Sequence, residues 1–171
     1  MIADNTEILK IVTELDNKYN ASPPPNQQWA ILYSKLAIIE FCGWIEQIFD
    51  EILTSYCSTK LVEQKYKDYH KKNIIDTNYG FHYEKNFQQM LIKTIGINNL
   101  ENIEDCLENH LAYLSTFKSI LGTFSKSRNI AAHTFTPTGT TITYDSPSIV
   151  ISNINVITPI LQKIEQEIMR Y

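Results

Sequence analysis

The sequence has few of the residues that build disulfide-stapled or metal-bound folds. Its three cysteines, Cys42, Cys57 and Cys106, form no CxxC pair and no ligand spacing with the four histidines. They lie among apolar residues, which is typical of core cysteines in a reducing compartment. The sequence also lacks an HExxH motif and a carboxylate cluster beside His133. We therefore expect no metal site and no other cofactor.

Long hydrophobic runs are also missing. Glu40 and Glu46 interrupt the best candidate for a membrane span, and residues 1–10 lack a basic region followed by an apolar run. We therefore expect a cytoplasmic protein that has no membrane partner. At 171 residues, the chain is long enough to bury a substantial core, so residues 1–171 are expected to form a single domain.

Acidic residues are absent from one long segment. The formal net charge of −4 disfavours general, charge-driven binding of nucleic acid. However, sixteen of the nineteen acids lie at or before Glu108, and the next acid is Asp145. The segment between them contains Lys126 and Arg128 without any carboxylate, as a phosphate site requires. A second basic and aromatic segment, residues 60–72, is more simply interpreted as a solvated helix face.

Hydrophobic periodicity predicts an all-α bundle of about five helices. Asp4 or Asn5 is expected to cap a first helix, which the proline-rich residues 22–25 terminate. The next predicted helices are residues 27–56, residues 59–72 with Thr59 as the N-cap, residues 87–94 closed by Gly96, and a helix from about Asn99 through residues 127–133 that has a break near Asn109.

Other segments predict non-helical structure. Residues 73–83 contain turn residues, and residues 134–143 are rich in Thr, Pro and Gly, so both are expected to be loops. Residues 148–151 are expected to be briefly extended. A last helix is then predicted to begin either at Ser152 or at Thr158 and Pro159.

The most informative segment is residues 127–133, Ser-Arg-Asn-Ile-Ala-Ala-His, at the end of a predicted helix. A fixed cation, an amide and an imidazole that titrates near neutral pH can together manage the charge and protons of a phosphodiester reaction. Structural interpretations also stay open. Arg128 can form an ion pair with Glu40, His133 can be a cation at the helix C-terminus, and Asn129 can terminate the helix.

Helical geometry separates the arginine from the histidine. At about 100° per residue, Arg128 lies about 20° from Phe117 on the apolar stripe, so we expect it to be largely buried. A buried cation needs a partner, and Glu40 in the second predicted helix is the best candidate. His133 lies about 140° around the helix from Arg128. Its polar face contains three further residues, which are Gly122, Lys126 and Asn129.

Two arrangements could still bring the arginine and the histidine together. The helix can loosen after Ala131, so that His133 swings toward Arg128. Alternatively, the residues converge across a two-fold axis, which requires only one self-complementary patch.

The pattern of residues 128–133, Arg-Asn-x-x-Ala-His, resembles the Arg-x4-6-His motif of HEPN domains. The Leu36-x3-Glu40-Phe41 stretch and the Ser-Pro after the motif loop are similar to the RiboL-PSP-type branch of that family. The resemblance covers nearly the whole chain. It implies a HEPN-like bundle and a metal-independent endoribonuclease that cleaves RNA by 2′-OH attack, often in a toxin or phage-defence system.

The expected roles of the site residues follow from this chemistry. His133 would act as general base or general acid, Arg128 would stabilise charge on the phosphate, and Asn129 would orient the phosphate or the imidazole. Lys126 would hold the RNA backbone, and Glu40 would support Arg128. The resemblance further implies a homodimer with a composite active site, and an antitoxin or another defence-system component as a partner. The alternative is a non-catalytic HEPN module that binds RNA or a partner protein.

One position departs from another branch of the family. HEPN toxins that are paired with nucleotidyltransferase antitoxins carry a tyrosine, the target of modification, two residues after the histidine. This chain has Phe135 there. Because phenylalanine has no hydroxyl group, we do not expect control by modification at this position.

Overall fold

The computed structural model describes residues 2–22, 27–137 and 142–171. These residues form seven α-helices and two short π-helical turns, without a β-strand in the described ranges. The helices are α1 (Thr6–Asn20), α2 (Gln27–Lys60), α3 (Gln64–His70), α4 (Gln88–Ile95), α5 (Ile97–Asn109), α6 (Tyr113–His133) and α7 (Pro147–Ile168); the π-helical turns are Lys71–Ile75 and Tyr83–Phe87. The predicted all-α class is confirmed, although the sequence pattern predicted about five helices.

The first helix is anchored at its N-terminus by Asp4. Its Oδ1 accepts hydrogen bonds from the Thr6 backbone N–H at 3.0 Å and from Thr6 Oγ1 at 2.7 Å. Asn5, the other predicted cap, makes no side-chain capping bond. Trp44 Nε1 donates to the Asp4 carbonyl at 3.2 Å, which ties the start of α1 to α2. The expected proline-rich terminator falls largely on residues 23–26, which lie outside the described residues.

The core is organised around α2, which at 34 residues is about 50 Å long. The Phe41 ring meets Phe124 of α6 edge-on at 4.5 Å between centroids. Two turns further on, Phe49 stacks on Phe87 at 3.8 Å and lies 5.7 Å from Phe117. These buried aromatic contacts hold α6 along the length of α2.

The segment after α2 differs from its prediction. Because α2 continues to Lys60, Thr59 lies inside it and donates to the Ser55 carbonyl at 3.0 Å instead of capping a new helix. The predicted loop begins only at residue 76, since the π-helical turn Lys71–Ile75 buries Ile74 and Ile75. Gly96, with a φ of 83°, closes α4 as the sequence predicted.

The predicted break near Asn109 is confirmed. α5 ends at Asn109, and Leu111 and Ala112 have φ values of 57° and 54°. Residues in this left-handed region cannot continue a right-handed helix. α6 therefore starts afresh at Tyr113 and continues without interruption through the motif.

The start of the last helix was predicted wrongly. α7 begins at Pro147, so residues 148–151 are helical, and neither Ser152 nor Thr158 starts the helix. Ser146 is the extended N-cap residue, and the fixed φ of Pro147 favours the first helical position. Pro159 lies inside the helix, where loss of its N–H costs about 3 kcal/mol. A continuous buried stripe offsets this cost; it consists of Val150, Ile154, Ile157, Leu161, Ile164 and Ile168.

A buried carboxylate joins the start of the chain to α7. Glu165 accepts hydrogen bonds from the backbone N–H groups of Ile2, at 2.9 and 3.0 Å, and of Ala3, at 3.2 Å. Gln162 Nε2 donates to the Ala3 carbonyl at 3.1 Å. Within the described ranges, no helix is long and apolar enough to cross a membrane.

Candidate functional site

The motif segment forms the last turns of α6. The helix stays regular to His133, and the Thr134 N–H donates to the Ile130 carbonyl at 3.0 Å. The helix therefore does not loosen after Ala131. Within one chain, Arg128 and His133 remain on different sides of the helix, about 140° apart.

The segment after the motif is fixed to α2. Lys35 Nζ donates to the Thr134 carbonyl at 2.6 Å and to Thr136 Oγ1 at 3.3 Å. Gln28 Nε2 donates to the Thr136 carbonyl at 2.9 Å, and Thr136 is buried. These bonds hold the C-terminal end of α6, and with it the backbone of His133, against the N-terminal half of α2.

Arg128 pairs with Glu46 rather than with Glu40. Its Nη2 lies 3.8 Å from Glu46 Oε1, and 42 % of the Arg128 side chain is exposed. The expectations of a largely buried arginine and of a Glu40 partner were therefore wrong. Glu40 lies about 240° around α2 from Glu46, on the side of α1, where it lines a hollow with Glu7 and Ile11. Arg128 is half-exposed because only one side of the final turns of α6 meets protein.

The contact with Glu46 is long for a hydrogen bond. Glu46 Oε1 is buried and makes no hydrogen bond with the described residues. Cys42, one turn earlier on α2, approaches the Phe124 carbonyl of α6 at 3.9 Å. Burial raises the pKa of the Cys42 thiol to about 12; the Arg128 charge lowers it and the Glu46 charge raises it. Cys42 is therefore a neutral thiol and not a nucleophile.

Three polar residues at the end of α6 remain accessible. Lys126, Asn129 and His133 are exposed, and they make no side-chain hydrogen bond or ion pair with the described part of the chain. Together with Gly122 they occupy one face of the helix, at spacings of three and four residues. This face offers a cation, an amide and an imidazole to a ligand or to a second protein surface.

An acidic surface on α2 lies next to Arg128. Glu46, Asp50 and Glu51 line a shallow hollow of about 620 Å³ on α2, together with Gln47. Burial raises the pKa of Asp50 to about 6, and repulsion from neighbouring carboxylates, Glu46 foremost, adds to this effect. The sequence contains the signal for this cluster, the spacing of four residues between Glu46 and Asp50. A phosphate is therefore expected to approach Arg128 from the side that faces away from these carboxylates.

One apolar stripe of α2 is exposed and does not pack against the core. Trp29, Leu36 and Ile39 are 55 %, 42 % and 37 % exposed. With Leu32 and Gly43 they follow the alternating spacing of three and four residues that forms the seam of a coiled coil. An exposed apolar stripe of this length is typical of an interaction surface.

The described residues contain no group of three or more His, Cys, Asp or Glu side chains that could hold a metal ion. The chain matches no protein-family model, no curated protein sequence and no solved structure. The resemblance of the motif to HEPN domains thus stands on the residues themselves.

Proposed function

We propose that this chain, over residues 1–171, is a HEPN-like, metal-independent endoribonuclease that acts as a toxin or defence effector. The observation that carries the proposal is the end of α6. Asn129 and His133 are exposed one turn apart, and the half-exposed Arg128 makes only a long contact with Glu46, at 3.8 Å. A second anionic partner can therefore reach the guanidinium without displacing a strong bidentate pair.

The proposed reaction is internal transesterification. His133 takes the proton of a ribose 2′-OH, and the 2′-oxygen attacks the adjacent phosphorus atom. The bond from phosphorus to the 5′-oxygen breaks, and that oxygen takes a proton from water, which the His133 imidazolium then restores. The products are a 2′,3′-cyclic phosphate and a 5′-hydroxyl. Arg128 stabilises the charge on the non-bridging oxygens, Asn129 orients the phosphate, and Lys126 binds the RNA backbone.

A homodimer completes the proposed site. The regular helix places Arg128 and His133 of one chain about 140° apart, which favours a site to which a second copy supplies one of them. The apolar stripe of α2 supports this arrangement, because Lys35, beside Leu36, binds the carbonyl that follows His133. An antitoxin or another defence component would then act on this dimer.

A non-catalytic module is the second candidate. The observation that favours it is the acidic surface of Glu46, Asp50 and Glu51 next to Arg128, which repels phosphate. In that case Arg128 is a structural cation, and the face with Asn129 and His133 binds RNA or a partner protein without chemistry.

Incubation of the purified protein with total RNA in excess EDTA separates the two candidates. We expect the wild type to cleave RNA, and His133→Ala to lose about 10²–10⁴-fold of the rate while keeping a native circular dichroism spectrum. His110→Ala, which changes another exposed histidine, is the matched control and should stay active. Strict dependence on added metal, or full activity of His133→Ala, would overturn the mechanism. RNA binding without any cleavage would establish the non-catalytic module.

A further inference from the structure

A basic hollow lies away from the motif. It is formed between the loop at residues 76–82 and α4, and it has a volume of about 340 Å³. Lys85 and Lys93 are the only charged residues among those that line it. Both are exposed, and neither forms an ion pair within the described ranges. In a chain of net charge −4, an acid-free hollow with two available lysines favours an anionic ligand.

An exposed aromatic ring stands at the same hollow. Tyr79 lines it and is 86 % exposed. Its backbone is fixed, because Asn86 Nδ2 donates to the Tyr79 carbonyl and to Asn78 Oδ1, both at 3.0 Å. Asn86 Oδ1 in turn accepts the His82 N–H at 3.0 Å. The loop therefore presents the Tyr79 ring from a rigid base, which lowers the entropy cost of stacking on it.

Glycine at position 80 permits this loop. Gly80 has a φ of 113°, a conformation that side chains rarely adopt, and a Cβ there would lie 3.3 Å from Asn86 Oδ1. One residue of the basic and aromatic segment of residues 60–72 contacts α4. His70 Nε2 lies 2.9 Å from Thr94 Oγ1, next to Lys93, and Ile74 of the first π-helical turn lines the hollow.

Single-stranded nucleic acid binds where bases can stack on an aromatic ring and phosphates can contact lysines that have no carboxylate beside them. We propose that this hollow binds one nucleotide of a single-stranded RNA, with the base stacked on Tyr79 and the phosphate bound by Lys85 and Lys93. The inference rests on the proposed function, since it assigns a holding site to the same RNA substrate. No residue of the hollow belongs to the α6 motif, so the hollow positions RNA without taking part in cleavage.

The test measures the affinity of a fluorescent 20-nucleotide single-stranded RNA in the His133→Ala background, which prevents cleavage during the titration. Tyr79→Ala should weaken binding by about 5- to 100-fold, the usual effect of removing one stacking ring. Tyr79→Phe keeps the ring and should bind within about twofold of the parent. Tyr66→Ala removes an exposed tyrosine of α3 and is the matched control.

Salt dependence tests the lysines. Lys85→Gln and Lys93→Gln should each reduce the slope of log K against log salt by about 0.7, the value for one phosphate contact on a single strand. Lys10→Gln, at an exposed lysine of α1, should leave the slope unchanged.

The outcomes separate this inference from the proposed function. If the wild type cleaves RNA but Tyr79→Ala and both lysine variants bind normally, the hollow is not an RNA site and the ribonuclease proposal stands. If binding is lost in Tyr66→Ala instead, the RNA lies on α3 and the inference is overturned. Binding that depends on Tyr79, without cleavage by the wild type, would support RNA binding at the hollow and overturn the proposed ribonuclease activity. Failure to bind RNA even at low salt would overturn both.

Discussion

At the scale of single residues, the positions of two glutamates on α2 decide which of them pairs with the motif arginine. Helical periodicity places Arg128 on the core-facing side of α6, but periodicity does not say which part of a neighbouring helix lies opposite. The sequence pattern predicted Glu40 as the partner, whereas the packing of α2 against α6 selects Glu46. The identity of the motif residues was thus readable from the sequence, whereas the partner of the arginine was not.

Substitution of Glu46 can be compared with the same substitution of Glu40. Glu46→Gln should free the Arg128 guanidinium and tighten RNA binding, with a loss of stability below about 1 kcal/mol because the pair is half-exposed. Glu40→Gln should change neither property, since Glu40 lies on the α1 side. Urea unfolding and RNA titration measure both effects. An equal response to the two substitutions would contradict the assigned pairing.

Asp50 predicts a pH dependence. Its pKa of about 6 in the fold lies above the value of about 3.9 for an unfolded aspartate, so the native state binds the proton more tightly. The ionised Asp50 carboxylate therefore lowers the free energy of unfolding. This effect has its full size above pH 6 and disappears as the pH falls through 4. Asp50→Asn should therefore stabilise the protein at pH 7.5, on the order of 1 kcal/mol after solvent screening, and have little effect at pH 4. A gain that is independent of pH would refute the burial and repulsion that we assign to this carboxyl group.

At the scale of elements, local signals predicted helix ends well where a single residue decides them. Gly96 and the break after Asn109 are examples, because positive φ values stop a helix wherever they occur. The two predicted starts of α7, Ser152 and Thr158–Pro159, both lie inside the helix, which begins at Pro147. Long-range burial of the α7 stripe overrides the local cost of that proline. The Ser146–Pro147 pair carried the true start signal.

The hydrogen bonds of Lys35 connect α2 to the end of α6 and so help to position the site. Lys35→Met keeps the aliphatic stem but removes the ammonium that binds Thr134 and Thr136. We expect faster hydrogen exchange at residues 130–136 and a fall in kcat of about tenfold, since small displacements of reacting groups are costly. Lys10→Met, at an exposed lysine of α1, is the control. Unchanged exchange at residues 130–136 would show that the ammonium does not hold the end of α6.

At the scale of the whole molecule, the account depends on pairing. Leu36→Asp places a charge in the exposed stripe of α2 and should produce monomers at micromolar concentration without loss of helicity. Because the site is proposed to be shared, the monomer should be inactive. Analytical ultracentrifugation with circular dichroism and RNA cleavage measures these properties together, and an active monomer would exclude a composite site.

Mixing inactive variants tests the sharing directly. Arg128→Ala and His133→Ala should each be inactive alone, but a mixed dimer keeps one site with an intact arginine from one chain and an intact histidine from the other. After subunit exchange, about half of the dimers are mixed and each has one site, so about a quarter of the wild-type activity should return. An inactive mixture, with exchange verified by tagged chains, would place both residues of each site in one chain.

The proposed cleavage of RNA by the α6 motif, through attack of the 2′-hydroxyl, can be tested on a single substrate. An oligodeoxynucleotide that contains a single ribonucleotide is incubated with the wild-type protein in excess EDTA, and the products are identified by mass spectrometry. We predict one cut at the ribonucleotide, with a 2′,3′-cyclic phosphate on one fragment and a 5′-hydroxyl on the other, and none with His133→Ala. Cleavage of the matched all-deoxy strand, or a product without the cyclic phosphate, would contradict the account.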